Sequence, residues 1–185
     1  MKISYKENYE KLVVPFFQKN QGKKGKLAVP RIVKVVINSG IGKLVTAEGS
    51  KSEEIEKNIS EKLAEITGQT PKKCAAKNSI ASFKIREGMI IGFSVTLRDK
   101  RMVDFIDKFV NIVLPRTRDF WGISKKHFDK RGNLTIGLKD INAFPEVSGE
   151  TIKIPFGIEV TFVTNTKNQE EAIKLFELLG FPLAK

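Results

Sequence analysis

The sequence predicts an α+β fold with two layers, a largely antiparallel or mixed β-sheet and helices packed on one face. Segments of alternating apolar and polar residues predict strands, and segments with helical spacing of apolar residues predict single helices between them. The chain has 185 residues, 41% of them hydrophobic and 29% charged, which is enough for a packed core. Because we find no internal repeat and no linker, we expect one domain over residues 1–185.

The first predicted helix spans residues 5–20, where apolar side chains recur at helical spacing. Pro15 should kink this helix or divide it, because proline has no backbone N–H. A lysine-rich loop follows at residues 21–26. Residues 29–38, rich in Val and Ile, predict a strand, and the glycines of residues 38–42 predict a tight turn at its end.

The clearest helix begins at the capping-box sequence of residues 50–53 and should end at Gly68. One face is apolar and should be buried: Ile55, Ile59, Leu63 and Ile66. The opposite face is acidic: Glu53, Glu54, Glu56, Glu61 and Glu65. We therefore expect a polyanion to bind elsewhere on the molecule.

Two strands are predicted at residues 71–76 and 91–98, with a basic loop at residues 77–84 between them. In the second strand, apolar residues alternate with a set of small or polar ones: Gly92, Ser94, Thr96 and Arg98. Small polar side chains would let an RNA backbone approach the sheet closely. A sheet face that is merely solvated is the alternative interpretation.

The remaining elements are a helix, two strands and a last helix: residues 99–114, 134–139, 157–165 and 168–179. Pro115 should stop the first of these helices. Residues 116–133 are predicted to be irregular and are basic. The last helix has Asn168 as its predicted N-cap and Gly180 as its end.

Basic residues are segregated along the chain, which carries a net charge of +12. Residues 11–47 and 66–86 contain no acidic residue. Residues 1–131 hold 28 Lys and Arg against 14 Asp and Glu, whereas residues 132–185 hold 5 against 7. Such a distribution gives one part of the surface a sustained positive potential, for which the natural partner is a polyanion.

Structured RNA is the favoured polyanion, because no predicted helix is basic enough to read the major groove of DNA. Phe83, in the basic loop, has two interpretations. It stacks on a base, or it enters the core, which is the commoner place for phenylalanine. The segment Arg116–Gly122 is also open to two interpretations. It is a loop pinned by Phe120 and Trp121, or another phosphate-facing rim.

Catalytic and cofactor motifs fail when tested. The glycines at positions 40 and 42 lack the third glycine of a dinucleotide fingerprint, and Leu44 replaces the Ser or Thr of a phosphate-binding loop. One cysteine, Cys74, and one histidine, His127, are too few for a zinc site. We therefore predict no catalytic residues, no metal and no cofactor. An RNA-modifying or RNA-cleaving enzyme remains the alternative function.

The expected compartment follows from the same composition. A single cysteine excludes an internal disulfide and suggests a reducing compartment. No apolar run approaches the length of a membrane span, so a cytoplasmic protein is expected. A membrane-surface protein is disfavoured, because the basic residues do not lie on one amphipathic helix.

Several motifs, in order along nearly the whole chain, resemble the bacterial type of large-subunit ribosomal protein five, the 5S rRNA-binding family. They are VPRIVKVVINSGIG from Val29, TGQTP from Thr67, SIASFKIREG from Ser79, VTLR from Val95, LPRTRDF from Leu114, FDKRGN from Phe128 and FPE from Phe144. Asn78, Ser148–Glu150 and Phe156 depart from the usual family residues.

This resemblance implies a structural protein of the large ribosomal subunit that binds 5S rRNA in the central protuberance and acts in translation. The positions matching the family's 5S contacts are Lys34, Asn38, Gln69, Phe83 and Thr96. Further basic or polar residues expected to face rRNA or tRNA are Arg31, Lys72, Lys73, Lys77, Asn78, Ser79, Lys84, Arg86 and Arg98.

The resemblance also implies the partners. Besides 5S rRNA they are 23S-type rRNA, the elbow of the peptidyl-site tRNA and small-subunit ribosomal protein thirteen. Residues 75–83 are expected to reach the tRNA, and residues 144–155 to form the bridge to the small-subunit head. No membrane contact and no homo-oligomer are expected.

Overall fold

The computed structural model describes residues 4–20, 25–48, 52–118, 120–147 and 156–184. Five strands form one antiparallel sheet in the order β2-β3-β1-β5-β4. The strands are β1 (Ile32–Gly40), β2 (Lys72–Ala75), β3 (Ile90–Leu97), β4 (Leu134–Leu138) and β5 (Ile158–Thr164). The predicted α+β class is confirmed. The first strand differs most from prediction, since it starts after Pro30 and continues through the predicted glycine turn to Gly40.

The helices follow the predicted order with one addition. They are α1 (Tyr5–Asn8), α2 (Val14–Asn20), α3 (Gly42–Glu48), α4 (Ser52–Thr67), α5 (Asp99–Lys108), α6 (Leu114–Arg116) and α7 (Gln169–Leu178). We did not predict α3. Single 3₁₀ turns occur at Lys26–Ala28, Ala81–Phe83, Lys125–His127 and Ile141–Ala143. Asn168 caps α7 as predicted, its Oδ1 accepting the N–H of Glu170 at 2.9 Å.

Pro15 distorts the N-terminal helix as predicted. A π-helical turn, Tyr9–Val13, joins α1 to α2, and the N–H of Val14 donates to the carbonyl of Tyr9. Proline has no N–H to offer the carbonyl four residues before it. We attribute the widened turn ahead of Pro15 to that missing hydrogen bond.

Pro115 does not stop its helix, contrary to the prediction. A second π-helical turn, Phe109–Val113, joins α5 to α6, which runs through Pro115 to Arg116. The backbone before Pro115 is already helical, and the N–H of Leu114 donates to the carbonyl of Phe109, so the widened turn ahead of Pro115 is the same arrangement as that ahead of Pro15. The helix ends where Thr117 turns to an extended backbone, with φ −69° and ψ 128°.

The chain divides into two compact units. Unit 1 contains residues 1–35, 97–136 and 161–185, and unit 2 contains residues 36–96 and 137–160. The chain passes from one unit to the other within strands β1, β3, β4 and β5. The expectation of one domain stays a prediction.

Unit 1 is built around an aromatic cluster. Phe162, on β5, is fully buried, and its ring centroid lies 5.2 Å from Phe181, 5.5 Å from Phe109 and 6.1 Å from Phe176. Edge-to-face and tilted ring pairs of this kind add to the stabilisation that burial provides. The π-helical turn after α5 and the helix α7 thereby contribute residues to the same core as the sheet.

Unit 2 buries the predicted apolar face of α4: Ile55, Ile59, Leu63 and Ile66. Gly68 has φ +66°, the left-handed conformation expected of a C-terminal glycine. The unpredicted α3 packs against α4 and begins after Ile41, whose N–H donates to the carbonyl of Ile91 in β3. The predicted cap residues 50 and 51 lie outside the described residues. Within the described residues, no helix has the length and apolar character needed to cross a membrane.

Candidate nucleic-acid interface

In unit 2 the sheet has an open face, which we define by Asn38, Lys72, Ser94 and Thr96. On β3, Phe93 and Val95 are buried on one side, whereas Ser94 is half-buried and Thr96 exposed on the other. The hydroxyl of Ser94 donates to Oδ1 of Asn38 on β1 at 2.8 Å. This hydrogen bond orients the Asn38 amide, so that its NH₂ group remains available as a donor.

Glycine keeps part of this face flat. A Cβ on Gly92 would lie 2.9 Å from the carbonyl oxygen of Ser39, so a side chain has no room there. The Ser39 hydroxyl donates to the carbonyl of Gly157 at 3.0 Å, which ties the two backbones together. A shallow depression of about 470 Å³ lies beside them, lined by Asn38, Gly40, Gly137, Leu138, Lys139, Gly157, Ile158 and Glu159.

Lys72 and Lys73 lie on opposite faces of the sheet. In the antiparallel β2–β3 pair, Lys72 is opposite Ser94 and Lys73 is opposite Phe93. Opposite residues share a face, so Lys72 belongs to the open face. Lys73 lies on the α4 side, where its Nζ is 3.6 Å from Oε2 of Glu56. Of these two candidates, the structure brings only Lys72 together with Asn38.

Gln69 reaches the same face from the end of α4. Its side-chain Nε2 lies 3.4 Å from the carbonyl oxygen of Thr96, a long hydrogen bond. The Thr67 hydroxyl oxygen lies 2.7 Å from the carbonyl oxygen of Leu63 and 2.9 Å from that of Gln69, so its one proton is shared between these two acceptors of the turn. The carried-over positions Asn38, Gln69 and Thr96 therefore lie close together.

The loop between β2 and β3, residues 76–89, is ordered by its own backbone. Ile80 and Ile85 exchange N–H to carbonyl hydrogen bonds at 2.9 and 3.2 Å, and Ala76 bonds in the same way to Met89 and Gly88. Its polar side chains at the candidate positions are all exposed: Lys77, Asn78, Ser79, Lys84 and Arg86. The Ser79 hydroxyl accepts the N–H of Glu87 at 2.9 Å.

Phe83 is 65% exposed, so the interpretation that places it in the core is wrong. It ends the 3₁₀ turn Ala81–Phe83 and precedes Lys84, which has φ +54°. Ile80 in the same loop is also 45% exposed. An exposed ring among cations is the arrangement that base stacking requires.

Three further candidates belong to unit 1. Lys34 is half-buried on β1. Arg31 is exposed, and its backbone N–H donates to Oδ1 of Asn165 at 2.7 Å. Arg98 is exposed in the extended residue before α5.

Half of the described acidic residues of unit 2 lie on α4, whereas Glu87 lies in the loop of residues 76–89 and Glu159 lines the depression beside Asn38. Glu53, Glu54, Glu61 and Glu65 are exposed on α4, on the side of the helix away from its buried face. Glu56 forms an ion pair with Lys73 on the side of the sheet that faces α4. Within this unit α4 therefore presents an acidic face on the side of the sheet opposite Lys72, but acidic residues are not confined to that side.

No cluster of His, Cys, Asp or Glu in the described part of the chain is suited to hold a metal ion. Cys74 is half-buried on β2. His127 is exposed, with Nδ1 3.1 Å from the carbonyl oxygen of Ser124.

Comparison with known proteins identifies the family. Residues 26–86 match the family model described as ribosomal protein L5, and residues 90–183 match the model of that ribosomal family's C-terminus. A large ribosomal subunit protein uL5 from Kosmotoga olearia is 46% identical over 183 residues, 99% of this chain and 97% of its own. The uL5 proteins of Carboxydothermus hydrogenoformans and Leptospira biflexa are each 44% identical, over 97% and 96% of this chain and 98% and 94% of their own.

The chain belongs to the ribosomal protein L5 family. It is of the bacterial type, as the resemblance implied. Its role in translation is structural and not enzymatic, so the alternative of an RNA-modifying or RNA-cleaving enzyme is set aside. Its place is the ribosome of the cytoplasm, as predicted.

Proposed function

We propose that the open face of unit 2, with the loop of residues 76–89, binds 5S rRNA in the central protuberance of the large subunit. The observation that carries this proposal is the combination on one face of small polar side chains and exposed cations. Residues 66–86 contain no acidic residue, and of their five basic residues all but Lys73 lie on this face or in the loop. RNA brings phosphates, riboses and base edges together, and this face offers a group for each.

The proposal assigns a role to each candidate residue. The NH₂ group of Asn38, the Thr96 hydroxyl and the Gln69 amide are placed to hydrogen-bond riboses or base edges. Phe83 presents a ring on which a base can stack. Lys72, together with Lys77, Lys84 and Arg86 in the loop, meets phosphates, and Arg31, Lys34 and Arg98, all in unit 1, are further cations proposed to contact rRNA. Asn78 and Ser79 add short polar groups at the loop.

The other partners are proposed from fewer structural features than 5S rRNA. The same loop is proposed to reach the elbow of the peptidyl-site tRNA, since its exposed cations suit any RNA backbone. Residues 144–155 are proposed to contact small-subunit ribosomal protein thirteen, and 23S-type rRNA is a further partner. Of this segment residues 144–147 are described, and Pro145 and Glu146 are exposed. Residues 148–155 lie outside the described residues.

Binding of isolated 5S rRNA at several salt concentrations tests the proposal. We expect the affinity to fall steeply with salt, by about 0.7–0.9 log units per log unit of salt for each phosphate neutralised. Lys34→Ala, Asn38→Ala and Lys72→Ala should each weaken binding by roughly 5- to 10-fold at about 0.1 M salt, the loss of one contact.

Lys73→Ala is the matched control, because it removes the same charge one residue away on the other face. It should leave 5S affinity within about 2-fold of wild type, as expected for a cation that makes no phosphate contact. Equal losses for Lys72→Ala and Lys73→Ala would refute the open face as the binding surface. An RNA of random sequence and equal length that binds as tightly as 5S rRNA would refute 5S recognition.

A further inference from the structure

Trp121 is the single tryptophan of the chain and is 89% exposed. The interpretation that it pins its loop is therefore wrong. Burial of an indole is among the largest apolar contributions that one side chain makes to a core, and here that contribution is largely absent. Trp121 belongs to unit 1 and to none of the residues proposed to contact 5S rRNA.

The backbone beside Trp121 is held rigidly. The N–H of Ile123 donates to the carbonyl of Pro182 at 2.8 Å, and the N–H of Ala184 donates to the carbonyl of Ile123 at 3.0 Å. Gly122 has φ +102°, and a Cβ there would lie 3.0 Å from the Ala184 nitrogen. Trp121 is thus presented to solvent from a fixed base, with Ile123 buried behind it.

The same segment is rich in exposed cations. They are Arg116, Arg118, Lys125, Lys126, Lys130 and Arg131. Asp129 is a charged carboxylate among them and offsets one of the six charges, and one of its oxygens accepts the backbone N–H groups of Arg131 and Asn133 at 2.8 and 2.7 Å. The other oxygen accepts the Asn133 side-chain amide at 2.7 Å. Asp119 lies outside the described residues.

We propose that Trp121 is a stacking platform for an unpaired nucleobase, with the cations of residues 116–131 meeting the phosphates on either side of that base. An aromatic ring among cations is the recurring arrangement for single-stranded nucleic acid, in which stacking tolerates any base. A protein partner is disfavoured, because lysine is depleted at the centres of protein interfaces and these six exposed cations would need an acidic partner. The ligand is an unpaired stretch of RNA.

Intrinsic fluorescence tests the proposal directly, because all tryptophan emission comes from Trp121. The full chain is titrated with a single-stranded oligoadenylate of about ten nucleotides, a length in the range of single-strand sites. We expect saturable quenching as the base stacks on the indole. Inorganic polyphosphate of matched charge, which has no bases, should bind without that quenching.

Variants make the test independent of the 5S proposal. In the background K72A/K77A/K84A/R86A, Trp121→Ala should weaken binding of labelled oligoadenylate by about 5- to 150-fold, the range expected for one stacked base. Trp121→Phe should retain most of the affinity, because it keeps an aromatic face.

Three results would overturn the proposal. One is unchanged oligoadenylate affinity in Trp121→Ala, and another is equal quenching by polyphosphate and oligoadenylate. The third is an emission change with polyglutamate but none with oligoadenylate, which would assign this surface to an acidic protein. Because the indole is exposed, Trp121→Ala should fold normally, and its unfolding midpoint checks this.

Discussion

Replacing Lys72, Lys77, Lys84 and Arg86 together by alanine is expected to weaken 5S rRNA binding on the order of 1000-fold at about 0.1 M salt. All four side chains are exposed, and they lie on the open face or in its loop. Each phosphate contact releases counterions, so four lost contacts should also make the slope of log affinity against log salt shallower by about 3. Binding isotherms at four or more salt concentrations measure both quantities.

The control carries the same loss of four charges at other sites. Lys6, Lys57, Lys73 and Lys167 are replaced by alanine, which removes cations from helices, from the α4 side of the sheet and from the approach to α7. This variant should keep most of the affinity, since it retains the open face and loop intact. If both variants lose affinity and slope equally, net charge alone governs binding and the assignment to this face fails.

Phe162→Ala is expected to lower the free energy of unfolding by about 3–5 kcal/mol, the usual cost of emptying a buried phenylalanine site. Phe162 is fully buried, and its ring contacts those of Phe109, Phe176 and Phe181. Truncation leaves a cavity among rings from different elements, which relax only partly into it. Because a domain has only about 5–15 kcal/mol in total, a large fraction of the stability should be lost. Denaturant unfolding monitored by circular dichroism measures it.

Phe83→Ala is the matched control, the same substitution at an exposed ring. It should change the free energy of unfolding by less than about 0.5 kcal/mol, because a surface residue leaves no cavity. For 5S rRNA binding the ranking of the two variants should reverse: among folded molecules, Phe83→Ala should bind more weakly than Phe162→Ala. A destabilisation by Phe83→Ala as large as that by Phe162→Ala would show that the loop ring is part of a core.

Sequence patterns predicted the elements best where one periodicity acts alone. The apolar stripe of α4, the alternation of β3 and the cap at Asn168 are local signals, and the structure confirms them. The short α3 was missed because seven residues are too few to establish a helical period. Pro115 was misjudged because the widened π-helical turn before it, like that before Pro15, accommodates the missing N–H, so the helix continues to Arg116.

For the candidate site, the types of residue could be predicted from the sequence, but the face of the sheet on which each residue lies became clear only from the fold. Strand alternation alone would have separated Lys72 from Lys73, a signal that we did not apply. Base rates of burial favoured a core position for Phe83, and no local pattern marks it as exposed. The exposure of Trp121 could likewise not be predicted from local sequence, since the backbone beside it is positioned by a hydrogen bond from Ile123 to the distant residue Pro182.

Hydroxyl-radical footprinting of the protein, free and bound to 5S rRNA, tests the central claim most directly. It reports the solvent access of individual side chains, and Phe83 and Ile80 are exposed in the free protein, as is Leu12 on the N-terminal helix. We predict that oxidation of Phe83 and Ile80 falls in the complex while that of Leu12 is unchanged. Unchanged oxidation of Phe83 and Ile80 in a saturated complex would contradict the assignment of 5S rRNA to this face.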